Sequence, residues 1–351
     1  MMKKILASAL ALTTVAALLS GCGGDTQTST STSGGDTQTS TSTSGSEDPK
    51  VTIKIGYENN PGEPTDLGCI KWEELAEEYS GGSIDVQLFP SSQMGAKKDI
   101  LEQAMQGTGA VTLGDGSFWM DYVPDMGIVA APYLFTDSEQ YMKVRASDWW
   151  TDMKDQLAAQ GLYMVADNWF YGSRETIAKK PITKPEDFKG MKIRTPNNEL
   201  FTKAFELMGA TPTPMPLGDV YTALQQGVVD GAENPLPVIY GSKQQEVVKD
   251  ISLTQHILLF TQWCGGTDFF NGLTDAQREA FLKAGEEAGD YMTEETIKQT
   301  EECKQKFIDE GCTIHEDVDV AAFQEAVKPM YDSFENWTPG LYDTIVEIMN
   351  S

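Results

Sequence analysis

The chain has 351 residues, 40% of them hydrophobic and 9% aromatic, enough for a sizeable core in one large or two smaller domains. Asp and Glu number 53 against 26 Lys and Arg, a formal net charge of -27. That balance repels polyanions, which excludes nucleic acid and an anionic membrane surface as the main partner, and any anion this protein holds must be held by local groups.

The first residues, MMKKILASALALTTVAALLSGC, carry Lys3 and Lys4, an uncharged apolar run from Ile5 to Leu19, then small residues. This order predicts a signal peptide over residues 1–21, its apolar core short for a transmembrane span. Leu19, Ser20, Gly21 and Cys22 look like a bacterial lipobox, which predicts lipid attachment at Cys22 and a membrane-anchored mature chain of charge -27 - 2 = -29. GGDTQTSTSTS at 23–33 repeats at 34–44, and no aliphatic or aromatic residue occurs between Cys22 and Val51. Residues 22–49 therefore read as a flexible linker with a reach of about 30 Å.

From Val51 the pattern alternates between strand and helix. Val51, Ile53, Ile55 and Tyr57 alternate as a strand; TDLGCIKWEELAEEYSGG reads as a helix from a Thr65 cap; Ile84, Val86 and Leu88 form the next strand before Pro90. KKDILEQAMQG is helical and AVTLGDG extended, which completes βαβαβ, the unit of a parallel sheet. A second series begins near residue 171, with strands at MKIRTP, TPTPMP, VVDGAENP and ISLTQHILLF, and helices at NELFTKAFELMGA, LGDVYTALQQG and around residues 241–250. From Thr274 the capping box TDAQ opens a helix to about Glu310, roughly 54 Å long, with glycines that are candidate kinks. The expected fold class is α/β with two domains and the long helix spanning both: 50–171 plus 260–299, and 172–259 plus 300–351. Cys69, Cys264, Cys303 and Cys312 show no CxxC spacing and are expected as free, mostly buried thiols, although export would permit bridges.

With His256 and His315 the only histidines, HExxH, GxSxG, GxGxxG and GxxxxGK[ST] are all absent, and the acidic EDVDV of 316–320 lacks the glycine of a calcium loop. The sequence thus calls for no cofactor, no metal and no catalytic set. Arg194 closes one strand before Thr195 and Pro196, and Asn234 closes another before Pro235. In open parallel sheets, ligands sit at such carboxyl ends. An arginine paired with a neighbouring acid and an asparagine capping a turn would leave the same pattern.

Five segments carry a resemblance: LFPSSQMG at 88–95, VPDMGIVAAPYLF at 123–135, KPITKPEDFKGMKIRTP at 180–196, GATPTPMPLGDVYTALQQGVVDGAENP at 209–235 and LTQH at 253–256. From Val51 to at least Asp275 the chain resembles the solute-binding proteins of tripartite ATP-independent periplasmic (TRAP) transporters, the DctP family. The resemblance implies two α/β domains around a cleft, with Arg194 binding the carboxylate of an organic acid. It also implies Asn234 in the same pocket and Arg174, in the Gly172–Ser173–Arg174 segment, assisting, where a structural ion pair of Arg174 would read alike. Glu58, Asn59, Asn60, Asp115, Ser117, Trp119, Trp169 and Tyr171 are expected to face the cleft. Leu217 stands where family members carry an aromatic. The implied ligand is a sugar acid such as a hexuronate or aldonate, with a C4-dicarboxylate or an aromatic acid as the alternative. The implied partners are a small and a large integral membrane subunit. Asn197 and Asn198 either touch the ligand or cap the next helix.

Overall fold

A computed structural model describes residues 48–351; the predicted signal peptide, Cys22 and the linker up to residue 47 lie outside the described residues. The strands are β1 Val51–Gly56, β2 Ile84–Phe89, β3 Ala110–Gly114, β4 Leu162–Ala178, β5 Lys192–Thr195, β6 Thr211–Pro214, β7 Gly231–Asn234, β8 Asp250–Gly266 and β9 Thr313–His315. The first six helices are α1 Pro64–Tyr79, α2 Lys97–Met105, α3 Gly116–Trp119, α4 Ser138–Arg145, α5 Asp148–Ala159 and α6 Glu199–Leu207. The others are α7 Val220–Gln225, α8 Leu236–Gly241, α9 Thr267–Asn271, α10 Asp275–Asp309, α11 Val320–Val327 and α12 Leu341–Asn350.

All nine strands join one mixed sheet in the order β2-β1-β3-β8-β4-β7-β5-β6, with β9 beside β8. Each end is parallel, as the alternating pattern predicts: β1 pairs with β2 and β3 in parallel, and β5 with β6 and β7. The centre is antiparallel. β4 and β8, 17 residues each, pair from Leu162 opposite Gly266 to Ala178 opposite Asp250 and carry the sheet from one end to the other. At about 3.3 Å per residue they extend roughly 55 Å.

Helix α10 matches that length. Its Thr274 hydroxyl accepts the Gln277 backbone N–H at 3.2 Å, the capping box read from TDAQ. The helix packs on α1 and β4. Its glycines do not break it; they let it come close, since a Cβ on Gly285 would lie 2.7 Å from the Trp72 ring and one on Gly289 2.3 Å from the Asn168 side chain. The Trp72 and Trp169 indoles donate to the Phe281 and Gly285 carbonyls at 3.0 and 2.9 Å, and with Trp263 they form the aromatic centre of the core. The helix expected around 241–250 lies earlier, as α8. Pro235 and Pro237 suit its opening turn, and Lys243 at φ 57° turns the chain away after Ser242. Cys69, Cys264, Cys303 and Cys312 are free and buried.

Candidate ligand-binding site

β5 lies between β6 and β7, parallel to both, so Arg194 and Asn234 arrive at one edge of the sheet. Pro196 and Pro235, lacking an N–H, end the two strands. Asn198 then caps α6, its side chain accepting the Phe201 N–H at 3.0 Å. Asn197 faces the cavity described below.

Arg194 is 3% exposed. Its Nε and Nη2 donate to the Met215 carbonyl at 3.0 and 2.8 Å, and no carboxylate lies within ion-pair distance among the described residues. Burial lowers its pKa, opposed by Glu233 and Glu58 at longer range, and a guanidinium remains charged under those pressures. Its Nη1 group donates to no acceptor of the described residues.

Arg174 is different. Nε and Nη2 form a fork onto the Glu233 carboxylate at 2.5 and 2.7 Å, and the guanidinium stands 4.9 Å over the Phe201 ring. Burial opposes the Arg174 charge, but Glu233 outweighs it and raises the pKa; the same partners hold Glu233 below the usual carboxylate range despite its burial. His256 Nε2 lies 3.2 Å from Glu233 Oε2 and its Nδ1 2.8 Å from the Thr254 hydroxyl. Burial lowers the His256 pKa, so the neutral ring donates from Nε2 to the carboxylate and accepts from Thr254 at Nδ1.

Gly172 lies two residues before Arg174, in an irregular part of β4. It sits at φ 123°, and a Cβ there would lie 2.9 Å from Pro235. The pairing of β4 with β8 shifts register between Phe170 and Gly172 and again between Arg174 and Thr176.

Both arginines line a cavity of about 190 Å³. Glu58, Lys97, Asp115 and Phe118 wall it from the β1–β3 end of the sheet. Asn197, Met215, Leu217 and Asn234 wall it from the β5–β7 end, and Tyr171, Leu259 and Thr261 come from the central strands. One guanidinium offering free donors to a cavity that also holds the Tyr171 and Thr261 hydroxyls and the Asn197 and Asn234 amides among apolar walls is suited to a carboxylate.

The family model for bacterial extracellular solute-binding proteins, family 7 (DctP), matches residues 55–336. The chain belongs to that family. Three solved TRAP periplasmic solute-binding proteins share its fold. One from Ochrobacterium anthropi, with bound L-fuconate, is 43% identical with a TM-score of 0.84, covering 86% of this chain and 100% of its own. One from Actinobacillus succinogenes, with bound L-galactonate, is 37% identical at 0.84, covering 86% and 99%. One from Fusobacterium nucleatum, with bound sn-glycerol-3-phosphate, is 38% identical at 0.82, covering 85% and 97%.

In this solute-binding protein Arg194, Arg174, Asn234, Glu58, Asp115, Tyr171 and Leu217 converge on one cavity. Other candidates stand elsewhere. Trp169 is a core residue held to α10, and Trp119 is buried with its indole donating to Gln262 at 2.7 Å. Asn59 is buried behind the wall, its amide donating to Tyr171 at 3.0 Å and Glu63 at 2.8 Å. Asn60 lines a neighbouring groove and reaches the Gly241 carbonyl at 3.4 Å. Ser117 holds Asp115, donating its hydroxyl to that carboxylate, which also accepts the Ser117 N–H at 2.9 Å. Lys97, Phe118, Met215 and Thr261 went unread in the sequence. Lys97 follows directly on the FPSSQMGA segment, but nothing local ties the start of α2 to a cavity.

Proposed function

We propose that this solute-binding protein captures a small sugar acid through Arg194 and delivers it to the membrane subunits of a TRAP transporter. The observation that carries the reading is Arg194 itself: a buried guanidinium whose described partner is a neutral carbonyl, with its remaining donors available to a planar carboxylate. Asn197, Asn234, Asp115 and Tyr171 supply donors and acceptors for hydroxyls. A cavity of about 190 Å³ falls below the roughly 300–1,000 Å³ of sites for drug-sized ligands, which favours a short acid over a bulky one. The bound L-fuconate and L-galactonate of the relatives above support the same class.

In this reading the two ends of the sheet act as lobes, 50–171 plus 260–299 and 172–259 plus 300–351, which close on the acid. Closure excludes water and strengthens the ion pair. The protein works outside the cytoplasm, as the periplasmic proteins it matches do. Cys22 anchors it there by lipid, with 23–49 as the tether. It binds without breaking a bond.

The test is a thermal-shift screen of the purified protein against aldonates, uronates, dicarboxylates, aromatic acids and glycerol 3-phosphate, followed by calorimetry. Stabilisation by sugar acids that grows with concentration is expected. Stabilisation by dicarboxylates or glycerol 3-phosphate, and not by sugar acids, would overturn the assignment. Mass spectrometry of the recovered acid, altered rather than intact, would overturn the receptor reading.

A further inference from the structure

Lys97 opens α2 and lines the same cavity as Arg194, with its side chain 13% exposed. Its Nζ is 4.2 Å from the centre of the Phe118 ring and 3.7 Å from Glu58 Oε2, too long for a hydrogen bond, and it donates to no acceptor among the described residues. The Glu58 side chain is 12% exposed, and its Oε1 accepts the Leu217 N–H at 3.3 Å. Two residues before Leu217, the Met215 carbonyl holds Arg194. Glu58 and Arg194 thus bind the same 215–217 stretch of chain.

Charge pairing around this cavity is uneven. Arg174 is committed to Glu233, Lys98 to Asp121 at 2.8 Å, and Lys97 to Glu58. Arg194 is the one lining cation among the described residues without its own acid, while Asp115 and Asp99 add negative charge to the wall. The pocket can neutralise one anionic group. A second carboxylate, or a doubly charged phosphate, would meet Glu58 and Asp115, where the Lys97 ammonium already faces Glu58 at 3.7 Å. A hydroxyl meets the same walls differently, accepting from the Lys97 ammonium and donating to the Glu58 carboxylate.

We propose that Glu58 and Lys97 together make this pocket selective for polyhydroxy monoacids, Glu58 being the residue that rejects diacids of the same length. The proposal rests on the sugar-acid reading given above. It assigns specificity to repulsion as well as attraction.

Calorimetry with galactonate and galactarate, a monoacid and a diacid of equal chain length, tests it on the wild type, Glu58→Gln and Lys97→Met. The wild type should prefer galactonate by at least about tenfold, and Glu58→Gln should narrow that preference by about tenfold through relief of like-charge repulsion. Lys97→Met should shift the ratio the other way, because it leaves Glu58 unpaired. A role confined to stability would move both affinities together and leave the ratio fixed. Should Glu58→Gln fail to fold, the ratio for Lys97→Met still decides. A wild type that binds neither acid defeats the sugar-acid reading and this proposal with it. A wild type that binds galactonate, with either equal binding of galactarate or an unchanged ratio in the variants, overturns this proposal alone.

Discussion

The Asn198 side-chain amide donates to the Ser117 hydroxyl at 2.9 Å, joining the residue that caps α6 to the one that holds Asp115. One contact therefore ties the β5 edge of the pocket to the β3 edge. Asn198→Ser keeps a capping oxygen but loses the reach to Ser117, and Ser117→Ala removes the acceptor. A double-mutant cycle on the dissociation rate of the stabilising acid should show coupling of about 1 kcal/mol. Additive effects would reduce Asn198 to a cap.

The two buried arginines should fail in different ways. Arg194→Ala should cost about 2–5 kcal/mol of affinity by stranding the ligand carboxylate, with Arg194→Lys also weakened. Melting temperature without ligand should change little. Arg174→Ala leaves Glu233, fully buried, without its fork and should destabilise the fold by about 3–5 kcal/mol. Calorimetry and denaturant titration of both variants separate the two roles.

Two buried carboxyls set a pH dependence. Burial pushes Glu63 up from 4.5 to about 7, against hydrogen bonds from Asn59 and Asn60; burial likewise pushes Glu175 to about 7, against the Gln255 N–H and Ser173. A carboxyl raised in the folded state contributes stability fully below about 4.5, and that contribution is lost as pH rises through about 7. Asp167 and Glu233, held low by their cations, contribute constantly across this window and lose their effect only in stronger acid. Their contribution to melting temperature should therefore fall between pH 5 and pH 8, while buried His256, lowered from 6.5, contributes the opposite slope below about pH 6.5. The double variant Glu63→Gln, Glu175→Gln should flatten that slope, and an equal slope in both proteins would refute the assignment.

Gly172→Ala combines a left-handed backbone with a contact against Pro235, the residue after Asn234. Unfolding in urea should show a loss of more than about 1 kcal/mol. Ligand affinity should fall as well, since Tyr171 and Arg174 flank the position.

What could be read in the sequence was what local chemistry dictates. The KIRTP and GAENP strand ends, the TDAQ cap and the alternation of β1 each follow from neighbours a few residues away. β4 escaped the reading. Its stretch LYMVADNWFYGSRETIA has register shifts at four places, so no period of two survives, and most of its residues are buried whichever way they point. Trp169 and Trp119 look like ligand platforms in a sequence; only the approach of α10 and β8 makes them core. Lys97 was hidden for the opposite reason, because its place in the pocket depends on Glu58 and Phe118, which are distant in the chain.

β4 and β8 bear on how this molecule comes apart. β8 pairs with β3 near its carboxyl end and with β9 near its amino end, β4 pairs along the length of β8 and with β7 at its carboxyl end, and α10 lies along β4. β1–β3 and β5–β7 are each contiguous in the chain, but both ends rest on β4 and β8, so losing register at either end exposes strand shared with the other. Heating should accordingly give a single calorimetric transition, with calorimetric and van't Hoff enthalpies that agree, rather than two successive meltings.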